Sequence, residues 1–336
     1  MDSLTHIALG ACVGEAFFGS KIGKKALWIG ALAQSIPDFD FITGAWMNPA
    51  KALLAHRGFT HSFVFVLLAV PLLSKIFRRI FKSYPVSYGN WAIFLGIQLL
   101  LHLFIDSFNG YGVGLFEPFS HYRVSFNTVF VMDPLFSLWP VVALIILWVL
   151  PRSHASRTFW WRFGVFLSGF YLIYCTVNKL TIDSKVNELV NNQHISYTDF
   201  MTTPTPFNNL LWYVILKTDH GYEIGYRSLF DSNTPMQFQY FEKGDSLLQP
   251  FCSEASTRDL IRFSRGYYSV SRWNDTIVFN DLRFGQEGGW YNPNGRFIFH
   301  YYLTLPGDNR MVVQRGRFEF WNRKVITSLF ERIEGN

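Results

Sequence analysis

Residues 141–150 read VVALIILWVL, a run that leaves no polar face to meet water. A helix formed there has to be enclosed by protein or lie in lipid. It belongs to the fifth of six apolar runs, at 4–18, 26–36, 62–77, 91–105, 135–150 and 159–177, separated by short polar loops. So dense a series argues for a membrane domain over a soluble bundle with an unusually apolar core. A straight span needs ~20 residues, so the runs at 4–18 and 26–36 are expected to be re-entrant, interfacial or buried against the longer helices.

The whole chain does not fit that description. Its 336 residues carry 18% aromatics and only 16% charge, too apolar for one soluble domain, yet the mean hydropathy of +0.13 is too low for membrane throughout. The halves must differ. We expect an all-α membrane domain over residues 1–178, with about six apolar helices, some short or re-entrant, and a β-rich α+β soluble domain over 195–336. In the second half, alternating stretches at 211–216, 237–241, 267–272, 276–279 and 296–305 read as antiparallel strands, with NPNG from Asn292 as a hairpin turn. Residues 256–264 read as a helix capped by Ser256 or Thr257.

The net charge of +6 invites a nucleic-acid reading, but the basic residues of the first half fall in loops, where membrane orientation accounts for them. Lys21, Lys24 and Lys25, then Lys75, Arg78, Arg79 and Lys82, then Arg152, Arg157 and Arg162 share one side if the runs alternate. The opposite loops hold only Lys51, Arg57 and Arg123. The positive-inside rule then puts the lysine-rich loops in the cytoplasm of a multi-pass inner-membrane protein, and the remaining loops and the C-terminal domain on the extracytoplasmic face. No basic stretch precedes the first run, so a removable signal peptide is not expected. Cys12, Cys175 and Cys252 form no paired motif.

Those opposite loops and the run ends beside them carry the chemistry. His102 and Asp106 in HLFID are four apart and project from one helical face. In SIPDFD, Pro37 ends the second run and Asp38 and Asp40 follow. In HRGFTHS, Gly58 lets the chain bend and Thr60 can cap the next helix, so that His56 and His61 converge. His6 opens the first run, and His121 is a lesser candidate. Ionisable groups are rare in apolar segments unless paired, ligating or reacting. Mixed imidazole and carboxylate shells suit zinc, with manganese the alternative, and six or seven donors exceed one tetrahedral shell, so more than one ion is expected. Arg57 and Arg123 lie on the same side and are expected to bind substrate phosphate. Glu15, inside the first run, is either functional or reaches to Lys21 or Lys25. Asp133 precedes Pro134 as a helix cap.

The set MDSLTH, IPDFD, HRGFTHS and HLFIDSFNGYG, within about residues 1–150, resembles the YdjM-like family of inner-membrane-associated metal-dependent hydrolases, also described as LexA-binding. That resemblance implies a membrane-embedded helical domain and a hydrolase activity itself inferred for the family. The HxxxD element is also similar to that of zinc-dependent phospholipase C and P1-type nucleases, although their terminal-amine and Trp ligation is not expected in a sequence opening on Met1. The sequence therefore points to a hydrolase in which metal-activated water cleaves a phosphoester or related bond, in a lipid or lipid-linked substrate at the bilayer. His6, Asp38, His56, His61, His102 and Asp106 would hold metal, with Asp40 as orienter, ligand or general base. The alternative is a non-catalytic metal-stabilised membrane protein whose outer domain binds a partner.

Overall fold

The computed structural model describes residues 1–232, 234–303 and 321–335. It divides into two compact units, Met1–Thr43 with Ala55–Cys175, and Gly44–Leu54 with Thr176–Asn336.

The first unit is helical. Each of the six apolar runs becomes a helix: α1 (Ser3–Ile22), α2 (Lys25–Ser35), then, after the short α3 (Pro49–Ala55), α4 (Phe63–Ile80), α5 (Tyr88–Asp106), α6 (Pro134–Val149) and α7 (Arg157–Asn192). Among the described residues only α5 and α7 are long and apolar enough to cross a membrane, with α6 apolar but shorter. The expectation of about six apolar membrane helices is corrected to two candidate spans. The others carry too many polar groups or too few residues, and α1 and α2 bury much of their surface against each other.

That packing comes from glycine. A Cβ on Gly30 would lie 2.0 Å from Gly10 O, and one on Gly14 would lie 2.1 Å from Ala26 O, so the two backbones touch where any side chain would separate them. Gln98 of α5 closes the seam, donating from Nε2 to Gly10 O at 3.0 Å and Gly30 O at 3.3 Å. One turn further along each helix come His6, Gln34 and His102. The seam thus sets three helices in register just beneath the functional residues.

Caps fix the helix ends. Asp133 accepts from Leu135 N and Phe136 N with Pro134 in the first turn, the cap role read from the sequence. The cap of α4 is Ser62, whose hydroxyl accepts from Phe65 N at 3.1 Å, and not Thr60, which has another partner. Glu15 reaches neither Lys21 nor Lys25. It forms a buried two-pronged pair with Arg157, each oxygen at 2.7 Å, and Arg157 Nη1 also satisfies the C-terminal carbonyls Leu147 O and Leu150 O of α6.

In the second unit the last turns of α7 carry Ile182, Val186 and Val190 onto one face of a four-stranded antiparallel sheet, ordered β1 (Asp199–Pro204), β2 (Leu211–Lys217), β3 (Gly221–Ser228) and β4 (Gln239–Glu242). Alternation along β2 divides its side chains. Trp212, Val214 and Leu216 meet α7, while Tyr213 and Ile215 meet Tyr267, Leu282 and Phe297 of the second sheet. Two short helices, α8 (Asp245–Leu248) and α9 (Ala255–Phe263), precede that sheet, which has three strands, β5 (Tyr268–Trp273), β6 (Thr276–Gln286) and β7 (Phe297–Leu303). The N-cap of α9 is Glu254 with no side-chain bond, so neither Ser256 nor Thr257 caps it. The chain reverses near NPNG, where Gly295 N donates to Asn292 O. Of the expected strand at 296–305, residues 304 and 305 lie outside the described residues. The last helix, α10 (Arg323–Glu334), is held by Arg332, which grips Asp231 at 2.6 and 2.8 Å.

Candidate metal centre

The end of α5 supplies His102 and Asp106, both fully buried. The single-turn helix Phe59–His61 supplies His61, and the 310 segment Pro37–Ala45 that follows α2 supplies Asp38. One donor atom from each of these four residues lies within 4.8 Å of all the others. His61 Nε2 and His102 Nε2 are 3.1 Å apart. Each stands 3.5 Å from Asp38 Oδ1 and 3.6 Å from Asp106 Oδ2. A tetrahedral ion with bonds of 2.0–2.1 Å has ligand atoms about 3.3 Å apart, so these separations fit one such ion.

Hydrogen bonding behind the rings decides which nitrogen carries the lone pair. His102 Nδ1 faces Gln34 O at 2.6 Å, and a carbonyl only accepts, so the proton sits on Nδ1. His61 Nδ1 is 3.0 Å from Thr60 Oγ1, whose own hydrogen goes to Asp40 Oδ2 at 2.7 Å, so there too Nδ1 donates. Both Nε2 lone pairs then point at one spot. Two lone pairs 3.1 Å apart require a cation between them, either a metal ion or a proton. Asp106 Oδ2, buried and ion-paired with Arg57, stands 3.6 Å from both of these nitrogens.

Proton and metal compete for it. Burial opposes charge on His61, but Asp106, Asp38 and Asp40 outweigh it and hold the ring's pKa up at about 9. Metal must displace that proton, so below about pH 9 the apparent affinity is expected to rise about tenfold per pH unit and to level off above it. Zinc titration at several pH values, read by calorimetry, checks this; a flat profile between pH 6 and 8 would remove His61 from the site.

Asp40 sits behind the centre. Its Oδ1 accepts from His56 Nδ1 at 2.7 Å and its Oδ2 from Arg57 N at 2.8 Å and from Thr60. Burial favours its neutral form, but His56 and His61 hold the carboxyl well below the usual range, so it stays ionised. Surrounded by donors, it orients His61 through the carboxylate–imidazole arrangement common behind metal ligands. His56 is thereby drawn to Asp40 and stands apart from the four-residue group. His6 is adjacent: its ring stacks on His102 with centroids 3.9 Å apart, and its Nε2 lies 3.2 Å from Asp106 Oδ1. The Met1 amine also donates to Asp106 Oδ1, so the terminal-amine contact that the sequence gave no reason to expect is present.

Arg57 adopts the left-handed conformation, φ 59°, which carries its N–H to Asp40 and its side chain inward. Its guanidinium donates to Asn109 Oδ1 at 2.8 Å and Met1 O at 3.1 Å, and its Nε is 3.1 Å from Asp106 Oδ2. Arg123 donates to His56 O. Both arginine heads tie loops together around the centre. His121 pairs with Glu117 on the surface, away from it. Thr60, Gln34 and Asn109 were not singled out as site residues by the sequence; their task is to orient, and residue type alone carries no signal for that.

Two helices long and apolar enough to cross a membrane, with a buried His/Asp group able to hold a metal ion, point to a membrane protein with a candidate metal centre. Residues 1–182 match the family described as "YdjM inner membrane protein", and the chain belongs to that family. Inner-membrane association follows from this membership and the two apolar helices. The chain is 28% identical over 233 residues to the "Uncharacterized protein YfhP" of Bacillus subtilis (strain 168), covering 67% of this chain and 68% of that protein. It is 29% identical over 170 residues to the "Inner membrane protein YbcI" of Escherichia coli (strain K12), covering 47% of this chain and 96% of that protein. No solved structure matches, so the likeness to phospholipase C and P1-type nucleases has no structural match behind it.

Proposed function

We propose that the protein is a multi-pass, membrane-embedded, metal-dependent hydrolase that cleaves a phosphoester or related bond in a lipid or lipid-linked substrate. The observation that carries this reading is the convergence of two Nε2 lone pairs and two carboxylates on one spot. Asp38, His61, His102 and Asp106 would hold the first ion, zinc in preference to manganese. His6 Nε2, 3.2 Å from Asp106 Oδ1, adds a further imidazole beside the same carboxylate, which supports more than one ion. A bound divalent ion lowers the pKa of water toward ~7 and neutralises charge developing on a phosphoryl oxygen. Asp40 positions His61, Gln34 O positions His102, and Arg57 holds Asp106 against the pull of its neighbours. The distribution of basic residues among the loops supports an extracytoplasmic position for the centre and the strand-rich unit.

Structural sites are coordinatively closed, whereas catalytic sites keep an open position. Asp38, with 19% of its side chain exposed among otherwise fully buried ligands, gives this centre an open side. The test is phosphate release from phosphatidic acid and from lipid pyrophosphates by detergent-purified protein. Activity abolished by chelation and restored by zinc or manganese is expected. Tightly held zinc with no turnover of any of these lipids would favour the non-catalytic reading, in which metal knits the short helices together.

A further inference from the structure

The open side of the centre has an unusual border. The segments around Asp38 are tied to one another: Asp40 binds Arg57 N and Thr60, Gly114 N donates to Arg57 O at 2.9 Å, and Phe63 N donates to Leu115 O at 3.0 Å. Outward from these segments stand Phe39, Phe41, Phe59, Phe63, Phe116 and Phe119, between 46% and 86% exposed. Phe63 and Phe116 are in contact, with ring centroids 6.0 Å apart. Leaving a phenylalanine exposed forgoes about 1.5–3 kcal/mol of burial, and six on the segments that carry or adjoin Asp38 are apolar exposure of the kind that marks an interaction surface.

What covers the patch is indicated by what it joins. Phe63 opens α4, a helix that leaves Leu67, Leu68, Leu72, Ile76 and Ile80 exposed along its length. An exposed stripe, Ile93, Ile97, Leu100 and Phe104, runs along the candidate span α5. Such side chains on helices of an inner-membrane protein face acyl chains. The phenylalanine border is their continuation at the metal end, and the neighbouring Tyr122, also exposed, has the amphipathic ring favoured at a membrane interface.

We propose that this phenylalanine rim is seated in the interfacial layer of the bilayer, so that the metal centre opens at headgroup depth and takes its substrate sideways from the membrane. The substrate class is then a phospholipid or lipid phosphate whose ester oxygens lie at that depth and reach Asp38 while the acyl chains remain in lipid. The substrate class rests on the hydrolase reading; the seating of the rim does not.

Spin labels separate the two. Cys12 and Cys175 are buried, so in a Cys252→Ser background single labels can be placed at Phe41→Cys, at Phe119→Cys and, as an aqueous reference, at the exposed Lys82→Cys. In nanodiscs of phosphatidylethanolamine and phosphatidylglycerol, relaxation by oxygen relative to a water-soluble nickel chelate should be several-fold greater at 41 and 119 than at 82. Ratios equal to that at 82 would overturn the rim proposal whatever the activity. Rim labels in lipid with no phosphate released by the unlabelled protein would sink the hydrolase reading and leave the rim standing.

Discussion

Replacing His102 and Asp106 together with alanine should empty the metal centre. The pair supplies two of the four converging donors, and Asp106 also offers the oxygen that faces His6. With only His61 and Asp38 left, zinc affinity should fall by at least about 10³-fold, roughly 4 kcal/mol at 1.4 kcal/mol per decade. Elemental mass spectrometry of detergent-purified protein should find stoichiometric zinc or manganese in the wild type and less than about a tenth of that in the double variant. His121→Ala is the control, because that ring pairs with Glu117 on the surface and should leave the metal untouched. Equal metal in wild type and double variant would place any bound ion elsewhere. A wild type that takes up neither zinc nor manganese would leave a proton as the cation between the two imidazoles.

The second large effect is on stability. Arg157→Ala strands the Glu15 carboxylate, 7% exposed, inside the helical unit and leaves two α6 carbonyls without their donor. Breaking a buried pair from one side costs about 3–5 kcal/mol. Replacing both partners, as Glu15→Leu with Arg157→Met, removes the charge that would need a partner and should recover most of that loss. Denaturant unfolding followed by helical circular dichroism, for both single variants and the double, checks the ordering. A double variant as unstable as Arg157→Ala alone would show that the carbonyl contacts of Arg157, and not its charge, hold this corner.

The positions of the helices were legible because lipid and core both select unbroken apolar runs, and all six runs became helices. Burial as one option for the first two was legible from their length, but how they pack was not, since α1 and α2 meet through Gly10, Gly14 and Gly30, and a glycine that permits close approach has the same letter as one that does not. His102 and Asp106 were legible from a spacing of four on a helix. Asp38 and Asp40 were legible as a pair, with metal expected on Asp38 and Asp40 left as orienter, ligand or general base; the 310 segment sends the first toward the centre and the second behind His61. His56 and His61 divide similarly, one drawn to Asp40 and the other to the cluster. In the second unit β3 escaped notice because Gly221 and Gly225 interrupt its alternation, although its neighbour β2 reads plainly.

His6 and Asp106 meet across a separation of 100 residues. A ribosome adding about 5–20 residues per second needs roughly 5–20 s to travel from one to the other. For that interval the growing chain displays imidazoles and aspartates that have no common ion to share, and it lacks the residue that joins both halves of the cluster. Any metal taken up by this group would therefore enter late, after the emergence of α5.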